Sequence, residues 1–134
     1  LEGSVIACAH LQRVFTAIGA QCFALTGGDK LLYHAAALFA TNFLPVLQAT
    51  AEDLWARTGM PPALVAHART ALLRNAVANI TALGPQAALT GPAARGDRAA
   101  IERQGSAVAQ WDPDAGAAYA ALSTLALRLG SKQK

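Results

Sequence analysis

Charge is scarce in this 134-residue chain. Asp, Glu, Lys and Arg make up 14% of it, against about a quarter in an ordinary soluble domain. A surface so short of charge keeps apolar area exposed, so a partner surface is expected. Aromatic residues are equally thin at 6%, and Arg57, Arg69, Arg74, Arg95, Arg98, Arg103 and Arg128 are spread along the chain without aromatic interleaving. The net charge of +3 therefore gives nucleic-acid binding little support. None of the three histidines pairs with another at helical ligand spacing, and the two cysteines form no Cys-x-x-Cys pattern. No metal site is expected. Cys8 and Cys22 are expected to be reduced, buried and intracellular, with a disulfide between them as the open alternative. There is no apolar run of about 18 residues free of polar groups, and no signal-peptide pattern. The expectation is a soluble, cytoplasmic protein without a membrane partner. Absent too are a glycine-rich phosphate loop and an initial Met: the chain opens at Leu1-Glu2-Gly3-Ser4, which suggests a processed or shortened polypeptide.

The length fits one domain with a real core and is short for a complete two-domain enzyme. Residues 1–28 are rich in β-branched, aromatic and Cys positions punctuated by Gly. They read as a strand over Ser4–Cys8, a short helix over His10–Ile18 and a strand over Gln21–Thr26. From Asp29 onward the pattern is helical. Asp29 is suited to cap a helix of nearly thirty residues that carries Pro45 inside it. Proline lacks a backbone donor and clashes with the carbonyl four residues earlier, so a kink is predicted near Thr41. Gly59 closes that helix, and Pro61-Pro62 opens a second that stops at Gly84-Pro85. A third follows Asp97 as cap, and a fourth opens at Asp112-Pro113-Asp114 and ends at Gly130. The tail, Ser131–Lys134, is expected to fray.

Within this Ala/Leu-rich background, residues 29–42 gather Lys30, Tyr33, His34, Thr41 and Asn42. An alanine-rich helix needs none of them to fold. At about 100° per residue, with Lys30 as zero, Tyr33 falls near −60°, His34 near 40° and Thr41 near 20°, one shared face, with Asn42 near 120° at its side. Lysine donates a proton, histidine titrates near neutrality and an amide orients a carbonyl, a set suited to polar reduction of a C=O or C=N bond. Singly, each also has an ordinary structural use: a first-turn Lys is commonly solvated, and a helical Tyr commonly packs its ring.

A second motif, Leu89-Thr-Gly-Pro-Ala-Ala-Arg-Gly-Asp97, reads as a loop, since Thr90-Gly91-Pro92 and Arg95-Gly96-Asp97 are turn formers. Its plain reading is a connector. The functional reading gives Thr90 a hydroxyl to donate and Arg95 a fork for a carboxylate or phosphate. His10 and His67 are isolated and receive no chemistry.

Together the two motifs resemble the helical C-terminal domain of Rossmann-type NAD(P)-dependent oxidoreductases, itself labelled a domain of unknown function. The likeness runs over roughly residues 19–129 and includes Trp111-Asp-Pro-Asp and Tyr119. The wider group is similar to 6-phosphogluconate dehydrogenase, the β-hydroxyacid dehydrogenases and pyrroline-5-carboxylate reductase. The resemblance implies a mainly α fold, a helical bundle of the 6-phosphogluconate dehydrogenase C-terminal type. Residues 1–28 would be a short βαβ remnant of a Rossmann-like domain, and residues 29–134 the substrate-binding and dimerisation domain. In the β-hydroxyacid dehydrogenases a catalytic Lys follows a Gly-rich turn and is itself followed, three and four residues on, by Asn. Here Gly27-Gly28-Asp29-Lys30 is followed by Tyr33 and His34, so Lys30 carries over and the Asn pair does not.

The expected function is therefore the C-terminal domain of an NAD(P)-dependent dehydrogenase or reductase acting on a small carbonyl, imine or hydroxy-acid substrate. Lys30 and His34 are the catalytic candidates, and Tyr33, Asn42, Thr90 and Arg95 the substrate-binding ones. NAD or NADP would be bound mainly by an N-terminal domain, since no Gly-x-Gly-x-x-Gly loop occurs here. The chain alone would then be inactive, and its partner a second copy of itself. The alternative is a non-catalytic helical module for oligomerisation or sensing.

Overall fold

The computed structural model describes residues 3–25 and 27–131. Ser4 begins it: its backbone is extended and its hydroxyl accepts from the Ala7 N–H at 3.3 Å, capping helix α1, Val5–Ala17. The helix stops at Gly19, whose φ of 84° is a left-handed position open to glycine. The Ala20 N–H reaches back to the Phe15 carbonyl at 2.9 Å and the Gly19 N–H to Thr16 at 3.0 Å, which satisfies the last carbonyls of the helix.

The strand–helix–strand expectation for residues 1–28 is corrected by this. The first predicted strand lies inside α1, and residues 20–25 are irregular. Thr26, the end of the second, lies outside the described residues. No strand occurs among the described residues, and the fold is mainly helical. The physical reason is that Val5 and Ile6 stand in the first turn behind a serine cap. A short apolar run has no strand period strong enough to outweigh that start signal, and there is no ladder partner to bond.

Past Gly27-Gly28 comes a helix of 28 residues, Lys30–Arg57, in three parts: α2, Lys30–Ala37; a π-helical segment, Leu38–Asn42; and α3, Phe43–Arg57. Asp29 stands at the cap position without a side-chain cap bond. The π segment explains how Pro45 is accommodated. Its wider turn, with the Phe43 N–H bonding the Leu38 carbonyl, resets the ladder so that Pro45 falls in the first turn of α3. There a missing N–H costs little. The stress predicted as a kink near Thr41 is thus taken up as one wide turn over Leu38–Asn42. By length and composition this helix meets the criteria for a membrane span: its most apolar 18-residue window has a mean hydropathy of 1.2 and none of that window is buried.

Helix α4, Pro62–Ala87, opens on Pro61-Pro62 and breaks at Gly84, whose φ of 77° and ψ of 161° lie outside helical space just before Pro85. Helix α5, Gly91–Arg95, is short; α6 is Arg98–Trp111 and α7 Pro113–Ser131. Ser131 is thus helical, and the rest of the tail expected to fray lies outside the described residues. Two aspartates start the last two helices. Asp97 accepts from Ala100 N–H at 3.0 Å, and Asp112 from Ala115 N–H at 2.8 Å, with Pro113 next to it. Asp112→Ala is expected to cost about 1 kcal/mol, read as a lower urea midpoint at an unchanged slope.

The chain divides into two compact units, Leu1–Ala49 and Thr50–Lys134. In the second, α5, α6 and α7 pack on one another. Gly116 lets α7 lie against the Ala109 backbone of α6, and Gly130 lets it lie against Ala93 and Ala94 of α5. An ion pair, Arg69 to Glu52 at 2.8 Å, links α4 and α3 within this unit. It is partly exposed, so its contribution is under about 1 kcal/mol. Val65 is the buried hydrophobic residue of the described chain, and no described residue of the first unit is buried.

Candidate functional site

In the first unit, Lys30 is the first residue of α2, with Tyr33 and His34 one turn on; all three are exposed. The Tyr33 ring stands edge-on to the His34 ring at 5.7 Å between centroids and is tilted against Phe23 at 5.9 Å. Tyr33 thus makes ring contacts with both Phe23 and His34. A helix winds at about 100° per residue, and the π segment adds one residue to its turn. Asn42 therefore lags behind its straight-helix position near 120° and turns back toward the side of Lys30 and His34. The wide turn also gives the Thr41 hydroxyl two acceptors, the Ala37 carbonyl at 2.9 Å and Asn42 Oδ1 at 2.7 Å. With one proton to give, Thr41 serves one of them at a time. A π turn carrying polar side chains is a common feature of functional sites in helices.

In the second unit, the motif read as a loop contains a helix. Thr90 stands at the N-cap position of α5 without a side-chain cap bond, Pro92 lies in its first turn and Arg95 ends it. Gly96 is left-handed, with φ 73°. The Asp97 N–H bonds the Pro92 carbonyl at 2.9 Å, and the Asp97 carboxylate caps α6. Proline early in the turn and glycine just past its end are what let five residues close a helix between two others. Two of the three residues in Arg95-Gly96-Asp97 are thereby explained by chain reversal. Arg95, exposed like Thr90, is the one that chain reversal does not account for.

Residues 1–126 match the family described as a domain of unknown function (DUF2520). The chain belongs to that family. No curated protein and no solved structure matches it. DUF2520 membership carries no assigned chemistry, so the side chains must supply the argument. Cys8 and Cys22 are free thiols, half-buried rather than buried. No group of three His, Cys, Asp or Glu able to hold a metal gathers among the described residues.

Sequence reasoning missed a groove in this DUF2520 chain. Between α6 and α7 lies an open cleft of about 460 Å³, lined among others by Arg98, Glu102, Ser106, Tyr119 and Ser123. Tyr119 donates its hydroxyl to Gln104 Oε1 at 2.7 Å, and its ring lies against Gly105. The only signal was the pair Gly105 and Gly116, helical glycines whose use lies in the packing of two helices and is invisible in either alone.

Proposed function

We propose that this chain is the substrate-binding and dimerisation domain of an NAD(P)-dependent dehydrogenase or reductase, in a bundle of the 6-phosphogluconate dehydrogenase C-terminal type. The observation that carries the reading is the exposed cluster of Lys30, Tyr33 and His34 on the first turns of α2, followed further along the helix by a π turn that ends on Asn42. These residues do not by themselves hold a dinucleotide. No strand-turn-helix phosphate cradle is present among the described residues, so the cofactor would sit on another domain or subunit, where it would supply hydride. What this chain would contribute is the proton and the orientation. Lys30 or His34 gives a proton to the substrate oxygen or nitrogen and Tyr33 bonds that group, while Asn42, about two turns further along the helix, orients another part of the substrate. In the second unit, Thr90 and Arg95 present a hydroxyl and a guanidinium for an anionic group.

The test is a substrate screen of the intact protein that follows nicotinamide absorbance, together with NADPH titration. Turnover of a small carbonyl or imine is expected, and absence of any nicotinamide binding would count decisively against the reading. Arg95→Ala is expected to raise KM about 10- to 100-fold, the worth of a charge-assisted bond, with kcat nearly unchanged. A specific observation favours a second reading, a helical oligomerisation or sensing module: the described residues of the first unit have no buried side chain at all. The two readings part at nicotinamide binding.

A further inference from the structure

Helices α6 and α7 form an antiparallel hairpin whose register is set at two glycines: Gly116 lies against Ala109, and Gly105 against the Tyr119 ring. Continuing that pairing along the hairpin puts Ser123 across from Glu102 and Leu127 across from Arg98. All four line the open cleft of about 460 Å³ between the helices, a size within the roughly 300–1,000 Å³ of small-molecule sites. Gly105, Ala109, Gly116 and Ala120 line it too. They project no more than a methyl group, which leaves a ligand room to lie along the helix pair.

The polar groups of the cleft divide by what they have left to give. Thr124 donates its hydroxyl to the Ala120 carbonyl at 3.0 Å, and Tyr119 donates to Gln104 Oε1 at 2.7 Å. Both protons are committed. Arg98 and Glu102 make no ion pair among the described residues, and the hydroxyls of Ser106 and Ser123 make no hydrogen bond there. Arg98 and Glu102 stand four apart on one helix, with about 5–6 Å between their Cβ atoms, in the order that pairs less well because the acid follows the base. They offer two opposite charges to one molecule.

We infer that the cleft binds a small aliphatic amino acid. Its carboxylate lies on the Arg98 guanidinium, and its ammonium lies between the Glu102 carboxylate and the Ser123 hydroxyl oxygen, both charge-assisted bonds. Its hydrocarbon side chain runs toward Gly105, Ala109 and Ala120. A ligand of one charge fits worse: an anion drawn to Arg98 meets Glu102 one turn away, and a cation drawn to Glu102 meets Arg98. A phosphate finds one guanidinium with an acid beside it. A helix laid in the cleft would have to bring an acid and a base of its own, or bury both charges unpaired. An amino acid carries both. The site lies wholly in the second unit and does not rest on the nicotinamide reading.

Isothermal titration calorimetry of the intact protein tests this with L-leucine and its two one-charge counterparts, 4-methylpentanoate, which lacks the ammonium, and 3-methylbutylamine, which lacks the carboxylate. Leucine is expected to bind with a Kd of about 1 mM or tighter, at least about 10-fold tighter than either counterpart. Arg98→Gln and Glu102→Gln should each weaken leucine at least about 10-fold, while Arg57→Gln, a cation at the end of α3, should not. Arg98 and Glu102 are exposed, and a gain of binding guards against a misfolded variant: Glu102→Gln removes the like charge and should tighten 4-methylpentanoate. Absence of saturable leucine binding overturns the inference, as does a counterpart that binds as tightly as leucine. Leucine binding indifferent to either cleft variant overturns it too. The titration needs no nicotinamide, so its failure leaves the enzymatic reading where it stands, and failure of that reading leaves the cleft.

Discussion

On the proposed reading, Lys30→Ala in the intact protein is expected to cut kcat by about 10²- to 10⁴-fold, the range for losing a positioned acid, with a far smaller change in stability. The contrast follows from where Lys30 stands. It is the first residue of α2, where the helix dipole is positive and a cation is disfavoured by about 0.3–1 kcal/mol. Alanine is also the better helix former. Both effects offset part of whatever interaction the lysine side chain makes in the fold. Lys30→Arg separates proton transfer from charge: the guanidinium keeps the cation but does not give up its proton near neutrality, so kcat should stay low. The comparison is made by steady-state kinetics beside thermal melts of the same preparations. Equal losses of turnover and stability would sink the catalytic role, and full activity in Lys30→Arg would reduce it to electrostatics.

The parts of the fold that were legible in the sequence are those set by local punctuation. Gly59, Gly84-Pro85, Asp97 and Asp112-Pro113 each end or begin a helix through the geometry of one or two residues, and the structure places breaks or caps at all of them. Residues 4–8 suggest a strand by their β-branched content, but Ser4 is the better signal, since a cap fixes the backbone whereas a short apolar run fits strand or helix alike. At Leu89–Asp97 the turn-forming residues suggest a loop, although Pro92 and Gly96 sit at the spacing that opens and closes one short helix.

For the candidate site, the sequence made the grouping of Lys30, Tyr33 and His34 visible because they lie within one turn and a half, too short for phase errors to accumulate. Asn42 lies beyond a change of helix type. Pro45 announced a disturbance but not its form, because a kink and a π turn relieve the same clash between its ring and the carbonyl four residues back. Only the second changes the phase of everything after it. That difference shifts the angular position of Asn42 and of every residue of α3 relative to Lys30, Tyr33 and His34. One proline thus bears on the geometry of the candidate site at a distance.

In the second unit, Gly116→Ala is expected to cost about 2–3 kcal/mol, a fall in Tm of roughly 10 °C or more for a unit of this size. A Cβ at Gly116 would lie 2.6 Å from the Ala109 Cα and 2.6 Å from its Cβ, and 3.1 Å from its backbone nitrogen. Those are main-chain positions on α6 and the Cβ fixed to them, so no rotamer change relieves the clash; α6 and α7 must move apart. Gly105 supplies the control on the same interface. Its added Cβ would meet the Tyr119 ring at 3.2 Å and 3.4 Å, where the neighbour is a side chain held at its far end by Gln104. The ring can turn, and exchanging a helical glycine for alanine gains up to about 1 kcal/mol, so Gly105→Ala should be close to neutral. Thermal melts followed by circular dichroism decide it. If both variants melt with the parent, the close contact between α6 and α7 is not what holds this unit together; if only Gly116→Ala falls, helix separation at that glycine sets its stability.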